Sequence, residues 1–298
     1  MKHWKLAVIA ALWSGALYAA PMPVVASFSI LGDVAQQIGG ERVAVQSLVG
    51  ANQDAHAYNL TSSDIKKIRE ARLVLLNGLG LEKAELQRAV KQSKVASAEA
   101  TAGIKPLAAD EHHHEHNHGH DHDHGEFDPH VWNDPVLMQR YAANVAIALI
   151  KADPAGSRYY QQRFKDYQNV LNQLNNYANQ QFGAVAPAKR KVLTGHDSFA
   201  YLGKRYQVKF ISPQGVSSEA EPSARQIAAI IRQIKAENVK AVFTENIKDG
   251  RMIARIAKET GVKVSGGLYA DALSSGAPAG TYADMFRYNV RVMSEAMK

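Results

Sequence analysis

Three histidines stand far apart along the chain, and each lies where a predicted strand gives way to a helix. His56 follows a β-branched run, His130 comes just before an Asp-Pro helix start, and His196 follows the predicted strand at residues 191–195. In open parallel sheets, side chains from several loops converge outside the carboxyl ends of the strands. Imidazole is a common neutral ligand of Zn²⁺, and three imidazoles with one carboxylate complete a tetrahedral site. The pattern therefore predicts a metal centre, although for any single histidine a hydrogen-bonded, partly buried ring is the alternative.

The carboxylate that would complete this site is not singled out by the pattern. Two of the candidates, Glu245 and Asp271, come at the carboxyl ends of predicted strands in the second half of the chain. The acidic residues in loops that could reach the site are Asp54, Asp197, Glu219, Glu221, Glu245 and Asp271.

Residues 111–125 form a separate feature that holds eight of the twelve histidines. The segment also contains four carboxylates, one Asn and two Gly, and it has no apolar side chain with which to join a core. We expect it to bind Zn²⁺ or similar ions in interchangeable arrangements, and a solvated spacer is the alternative. Because Mn²⁺ prefers oxygen ligands, the segment favours zinc. Its histidines are His112, His113, His114, His116, His118, His120, His122 and His124.

The overall composition excludes several classes of protein. The chain has 298 residues, of which 46% are hydrophobic and 21% charged, and this allows two globular domains. The absence of cysteine excludes disulfides, thiolate catalysis and cysteine-based zinc sites. A zinc hydrolase would need a vacant coordination position, and none of the predicted helices carries a His-Glu-x-x-His pattern. Nucleic-acid binding is not expected despite the formal charge of +7, because Lys and Arg are dispersed.

Residues 1–19 are predicted to be a secretory signal peptide. Lys2 and Lys5 precede an apolar run at residues 6–13, and small residues lead to a cleavage point expected after Ala19. The apolar run is too short to span a bilayer. Because no cysteine follows it, no lipid anchor is expected. The pattern indicates a soluble protein exported to the periplasm.

Strand and helix patterns alternate in both halves of the remaining chain. This alternation predicts an α/β fold of two lobes, each a mostly parallel sheet flanked by helices. The predicted lobes are residues 20–153 and 184–298, and the last strand is predicted at residues 262–266. Two helix starts carry a capping-box pattern, Thr61 with Asp64 and Ser223 with Gln226.

Between the lobes, residues 154–183 are predicted to form one long, rigid helix. Asp153-Pro154 resembles an N-cap followed by proline in the first turn. Apolar residues then recur at spacings of four and three along one stripe. A helix that joins the lobes is the interpretation, and a long helix packed within one domain is the alternative. The stripe consists of Tyr160, Phe164, Tyr167, Leu171, Leu174 and Ala178.

Six stretches, in order along the chain, resemble the zinc- and manganese-binding solute-binding proteins of ABC transporters, the ZnuA/TroA-like group of cluster A-I. The resemblance implies two α/β lobes with the metal between them. It matches His56, His130 and His196 to the imidazole ligands and Asp271 to the carboxylate ligand. Manganese-type members often have glutamate where His196 stands, so the resemblance favours the zinc type with a His-rich loop. The stretches are residues 55–64, 127–132, 194–199, 218–223, 242–246 and 268–271.

The resemblance implies capture of Zn²⁺ and its delivery to the membrane permease of an ABC transporter, with no covalent chemistry. We expect a monomer, with a periplasmic metallochaperone as a further candidate partner. The alternatives are a manganese-binding member of the same family, a periplasmic zinc chaperone or buffer, and a zinc-dependent hydrolase. Whether Glu221 or Glu245 assists the site is left open.

Overall fold

The computed structural model describes residues 20–109, 127–219 and 221–298. These residues form two α/β lobes, each built on a four-stranded parallel sheet, which confirms the predicted fold class. In the N-terminal lobe the strands are β1 (Met22–Phe28), β2 (Val43–Val49), β3 (Leu73–Leu76) and β4 (Ala96–Glu99), in the spatial order β2-β1-β3-β4. In the C-terminal lobe they are β5 (Lys191–Leu193), β6 (Lys209–Ile211), β7 (Ala241–Glu245) and β8 (Gly266–Leu268), in the order β6-β5-β7-β8.

Helices flank both sheets, and one long helix follows the N-terminal lobe. None of the described helices is both long and apolar enough to cross a membrane. The helices are α1 (Ser29–Gly39), α2 (Ser62–Glu70), α3 (Ala84–Ser93), α4 (Leu137–Ala152), α5 (Ser157–Gly183), α6 (Ala200–Tyr206), α7 (Ala224–Glu237), α8 (Arg251–Thr260) and α9 (Tyr282–Met297).

Both predicted capping boxes are confirmed. The side chain of Thr61 accepts a hydrogen bond from the backbone N–H of Asp64 at 3.2 Å, and Oδ2 of Asp64 accepts one from the backbone N–H of Thr61 at 3.0 Å. Ser223 and Gln226 make the reciprocal pair at the start of α7. These pairs satisfy backbone donors that a helix start leaves free. The first of them fixes where α2 begins, just after the loop that carries His56.

The long helix begins three residues later than the sequence predicts. Residues Pro154–Gly156 form a 3₁₀ turn, and α5 starts at Ser157. Asp153 does not cap this turn with its side chain, because its Oδ2 atom accepts hydrogen bonds from Arg42 at 2.7 Å and from the Tyr160 hydroxyl at 2.7 Å. The predicted apolar stripe of α5 is buried, except that Phe164 is only partly covered.

The last strand also differs from the prediction. Residues 262–265 connect α8 to β8, and the strand itself is Gly266–Leu268. Gly261 has a φ of 74° and ends α8, and the backbone N–H of Val262 still bonds to the carbonyl of Ala257 at 3.1 Å. Val262 therefore belongs to the helix C-terminus, because a left-handed residue there turns the chain back onto the last helical turn.

One apolar cluster extends from the first sheet to the second. It includes Val24 on β1 and Val192 on β5, and it passes through α1, α4, α5 and α9. Two smaller clusters lie on the other faces of the two sheets. Both sheets are therefore covered on both sides, which explains why the predicted strands are almost continuously apolar.

Candidate metal centre

Four side chains that are far apart in the sequence converge between the two lobes. One ligand atom from each of His56, His130, His196 and Asp271 lies within 4.8 Å of the others. The Nε2 atoms of His56 and His130 are 3.1 Å apart. The Oδ2 atom of Asp271 lies 3.1 Å from Nε2 of His196 and 3.5 Å from Nε2 of His56, and its Oδ1 atom lies 3.5 Å from Nε2 of His130. These separations are those of atoms that face a common centre.

Each lobe supplies two of these residues from loops near its parallel sheet. His56 lies in the β2–α2 loop, and His130 precedes the 3₁₀ turn Val131–Asn133. His196 comes three residues after β5, and Asp271 comes three residues after β8. The arrangement follows the general rule for ligands at the carboxyl ends of parallel strands.

The donor atoms of the cluster suit a cation. His56 is 7% exposed, and the other three residues are 0% exposed. Among the buried polar atoms of the described chain, Nε2 of His196 and both carboxylate oxygens of Asp271 lack a well-aligned hydrogen bond. Leaving buried polar groups unpaired is unfavourable, and a divalent ion bound by these atoms would remove that penalty. Three imidazole nitrogens and one carboxylate oxygen form a complete tetrahedral donor set for Zn²⁺.

Two further carboxylates stand behind the imidazoles. Nδ1 of His130 lies 2.7 Å from Oδ1 of Asp128, and Nδ1 of His196 lies 2.6 Å from Oε2 of Glu245. Both acids are buried. A carboxylate at Nδ1 fixes the tautomer in which Nε2 is free to bind a metal, and it also fixes the plane of the ring. Glu245 therefore lies behind His196 rather than facing the centre of the cluster.

The charges within the cluster oppose the effect of burial. Burial alone raises the pKa of Asp271, but the neighbouring imidazoles of His196 and His130 outweigh it and hold that pKa well below its usual value. Burial alone lowers the pKa of His196, but the carboxylates of Glu245 and Asp271 raise it well above its usual value. In the metal-free protein, these shifts favour an ionised Asp271 carboxylate beside a protonated His196 ring.

The other acidic candidates from the sequence lie elsewhere. Glu221 is exposed, and Glu219 forms an ion pair with Lys83 at 2.8 Å. Asp197 lines a separate cavity on the C-terminal lobe. Asp54 lies in the His56 loop and accepts hydrogen bonds from that loop's backbone. The structure thus brings only Asp271 of the six into the centre of the cluster.

Sequence reasoning missed Asp128, although a signal for it was present. Asp128 lies two residues before His130, and Asp54 lies two residues before His56. In both pairs the aspartate Oδ1 accepts a hydrogen bond from the histidine backbone N–H at 2.9 Å. A short aspartate side chain that bonds the backbone two residues on forms a tight turn. The repeated Asp-x-His spacing therefore marks two histidines whose backbones are held in the same way.

The histidines of the segment 111–125 lie outside the described residues. The chain enters and leaves this segment side by side, because Ala108 and Phe127 form an antiparallel bridge and the backbone N–H of Asp128 bonds to the carbonyl of Leu107 at 2.9 Å. His130, a central residue of the cluster, follows directly after this exit point.

Two parallel-sheet lobes with a buried cluster of imidazoles and a carboxylate between them define a class of solute-binding protein for metal ions. The chain belongs to the family of zinc-uptake complex component A, periplasmic (ZnuA), whose profile matches residues 24–296. Proteins of this family deliver metal to the permease of an ABC transporter and are not enzymes. The protein is therefore an extracytoplasmic metal-binding component of such a transporter.

Relatives of the chain carry names that refer to different metals. The manganese-binding lipoprotein MntA of Bacillus subtilis is 32% identical over 287 residues, which cover 93% of this chain and 90% of that protein. The iron ABC transporter substrate-binding lipoprotein MtsA of Streptococcus pyogenes serotype M1 is 27% identical over 277 residues, with 93% and 89% covered. The solved structure of the periplasmic zinc-binding protein TroA from Treponema pallidum aligns with a TM-score of 0.85 at 26% identity, covering 93% of this chain and 99% of that one.

Proposed function

We propose that this protein captures Zn²⁺ with His56, His130, His196 and Asp271 and passes it to an ABC permease. The convergence of these four buried side chains is the observation that carries the proposal. Four protein donors fill a tetrahedral zinc site and leave no position for a catalytic water. Such a site suits capture and release of an ion rather than hydrolysis.

The choice of zinc over manganese follows from the chemistry of the donors. Imidazole nitrogens suit Zn²⁺, whereas Mn²⁺ favours carboxylate, carbonyl and water oxygens and higher coordination numbers. This cluster offers three imidazoles and a single carboxylate. Manganese is the second candidate, because a relative 32% identical is named for manganese binding.

The proposal is tested by competitive titration of purified, metal-free protein with Zn²⁺ and Mn²⁺. We expect one tight Zn²⁺ site and much weaker binding of Mn²⁺. The variant His130→Ala should lose more affinity than the roughly 10- to 100-fold that removal of an outer partner of a ligand causes. His118→Ala, from the segment 111–125, is the matched control and should retain the tight site. Unchanged affinity in His130→Ala would contradict the ligand assignment, and a preference for Mn²⁺ would identify a manganese-binding member.

We further propose that the segment 111–125 collects Zn²⁺ weakly and passes it to the central site. Its eight histidines without apolar neighbours support this role. The bridge between Ala108 and Phe127 holds the ends of the segment together, so a deletion of residues 111–125 needs only a short connection. The deletion variant is expected to keep one tight Zn²⁺ site and lose the weak ones. Loss of the tight site would reject the accessory role.

We infer that the protein acts in the periplasm as a monomer without a lipid anchor. The basic, apolar and small-residue order of residues 1–19 supports export. The absence of cysteine supports the unlipidated form, in contrast to the lipoprotein relatives. Intact mass and detergent partitioning of the exported protein test whether it carries a lipid.

Zinc uptake that persists in cells without the permease would instead favour the alternative function, a metallochaperone or buffer.

We also propose residues 20–153 and 184–298 as the two lobes and residues 154–183 as their link. The packing of α5 against α1 and α4 on one side and α9 on the other supports this division. Limited proteolysis is expected to leave the link intact, because one stripe of α5 is buried along its length.

A further inference from the structure

The three imidazoles of the cluster are not held equally. His130 and His196 are 0% exposed, and each has a carboxylate at its Nδ1 atom, at 2.7 Å and 2.6 Å. His56 is 7% exposed, and within the described chain the only carboxylate at ion-pair distance from it is Asp271, at the cluster centre. Because an outer carboxylate fixes the orientation of a metal-binding imidazole, the His56 ring is the least constrained of the three.

The backbone of His56 is held by the carboxylate of Asp54. Its Oδ1 atom accepts hydrogen bonds from the backbone N–H groups of His56 at 2.9 Å and of Ala57 at 3.3 Å. Residues 50–61 form neither helix nor strand, so this turn is the main local constraint on His56. The second oxygen of Asp54, Oδ2, does not bond to this turn and instead accepts a hydrogen bond from Ser218.

That contact crosses the cleft to the C-terminal lobe. The hydroxyl of Ser218, a residue that is 0% exposed, donates to Oδ2 of Asp54 at 2.5 Å. The carbonyl of Ser218 accepts a hydrogen bond from Nε2 of Gln214 at 3.2 Å, and Gln214 pairs with His196 in a parallel bridge. One chain of contacts therefore runs from the loop of His196 to the turn that carries His56.

We propose that Asp54 is a positioning residue for the site and that the Ser218–Asp54 hydrogen bond is a latch that keeps His56 on the bound ion. When the latch opens, Asp54 and the His56 turn lose their link to Ser218, although Asn52 of the same loop stays bonded to the carbonyl of Leu273 at 2.8 Å. His130 and His196 keep their carboxylate partners. His56 is then the first imidazole to leave, and the latch sets the rate of metal release. The inference rests on the proposed function, because it concerns the same cargo site.

A second contact beside the latch supplies the matched control. Nζ of Lys83 lies 2.8 Å from Oε1 of Glu219, and the two side chains are 29% and 48% exposed. Glu219 follows Ser218 directly, but its bond to Lys83 does not involve Asp54. Ion pairs of this exposure contribute little to stability. Lys83→Met therefore removes a contact between the same two lobes without disturbing the latch.

The test measures Zn²⁺ association and dissociation for the full chain loaded with less than one equivalent of Zn²⁺, with dissociation into excess chelator. We expect Ser218→Ala to raise the dissociation rate roughly 10- to 100-fold, the effect of losing a hydrogen bond to a charged group. The association rate should stay nearly constant, and Lys83→Met should change dissociation by less than about threefold. A wild-type dissociation rate in Ser218→Ala overturns the latch. Wild-type protein that binds no Zn²⁺ contradicts the proposed function instead.

A double-mutant cycle separates the latch from a general loss of packing. If the latch acts through His56, Ser218→Ala has no further effect on dissociation in a His56→Ala background. It keeps its full effect in a His130→Ala background. Equal effects in the two backgrounds overturn the inference.

A second variant tests the same hydrogen bond in case Ser218→Ala does not fold. The melting temperatures of all variants show whether each one is folded. Asp54→Asn keeps an oxygen for the His56 turn and places its NH₂ group toward Ser218, so the hydroxyl must accept a neutral hydrogen bond instead of donating to a charged carboxylate. It should also speed dissociation, and a wild-type rate in this folded variant counts against the latch.

Discussion

The Nδ1 atoms of His130 and His196 decide which nitrogen of each ring faces the metal. Their carboxylate partners, Asp128 and Glu245, accept a hydrogen bond from Nδ1–H and leave Nε2 free to bind the ion. The other oxygen of Glu245, Oε1, also accepts hydrogen bonds from the backbone N–H groups of Gly195 at 2.9 Å and of His196 at 3.2 Å. One buried carboxylate thus fixes both the ring and the backbone of a candidate ligand.

Replacing Glu245 with glutamine is expected to lower Zn²⁺ affinity roughly 10- to 100-fold. The amide oxygen will stay with the two backbone N–H groups, so the NH₂ group faces Nδ1 of His196. Nδ1 must then accept a hydrogen bond, and the ring proton moves to Nε2, the atom that should bind the ion. Competition titration measures the change, with Glu237→Gln on the surface as the control. Equal affinities for the two variants would show that Glu245 has no such role.

Zinc binding is expected to release a proton from His196 near neutral pH. The carboxylates of Glu245 and Asp271 overcome the effect of burial and raise the pKa of this ring well above 6.5. The ring is therefore protonated in the metal-free protein, and the ion must displace that proton. Affinity rises with pH up to the raised pKa and falls about tenfold for each pH unit below it. Calorimetry in two buffers of different ionisation enthalpy measures the released proton, and identical heats would contradict the prediction.

Helix α5 shows how one residue can set the start of an element. Gly156 ends the 3₁₀ turn before α5, and a Cβ atom there would lie 2.5 Å from Nε of Arg42 and 2.5 Å from the ring of Tyr160. The Tyr160 ring is fully buried and bonds to Asp153, which also holds Arg42. Only glycine allows these three side chains to close over the turn. The predicted helix start at residue 154 missed this packing, because it depends on Arg42 from a distant part of the chain.

Gly156→Ala is expected to reduce the free energy of unfolding by about 1–3 kcal/mol through overpacking. Gly183, at the other end of α5, is the matched control, because a Cβ atom there meets nothing within 4 Å. Gly183→Ala should be neutral or stabilising by up to about 1 kcal/mol, because alanine favours the helix. Denaturant unfolding measures both variants. A Gly156→Ala variant as stable as Gly183→Ala would contradict the packing argument.

The predicted elements agree with the structure where local signals are strong. The capping boxes at Thr61 and Ser223 mark the starts of α2 and α7 correctly, because each depends on residues three positions apart. The strand predicted at residues 262–266 is displaced toward Leu268. Of its two valines, Val262 packs at the end of α8 and Val264 is exposed. A short apolar run does not distinguish a strand from such a helix end.

At the scale of the whole molecule, the lobes share their core. The large apolar cluster includes side chains from both sheets and from the helices between them. Near the site, Nε1 of Trp132 donates to the carbonyl of Ala270 at 2.8 Å, and the Tyr282 hydroxyl donates to the carbonyl of Trp132 at 2.8 Å. Trp132 follows His130 closely, and Ala270 precedes Asp271. The halves of the candidate site are therefore joined through buried contacts.

We expect metal binding to change the relative position of the lobes only slightly. A rotation of one lobe on the other would open the shared core and break the Trp132 contacts. The radius of gyration from solution scattering should differ by less than about 1 Å between metal-free and Zn²⁺-loaded protein, as for pre-organised binding surfaces. A larger difference would show that the shared core rearranges, as in a hinged closure.

The sequence by itself determined the alternation of strands and helices, the helix starts marked by local caps, and the three histidines outside residues 1–19 and 111–125. These features depend on residue type and short spacing, so they are readable without a fold. The tertiary structure decided that Asp271 faces the cluster while Glu245 lies behind His196, and that Asp54 meets Ser218 across the cleft. Such contacts join loops of opposite sheets or neighbouring strands. Their geometry depends on how the two lobes pack on α5 and on each other, which no local pattern encodes.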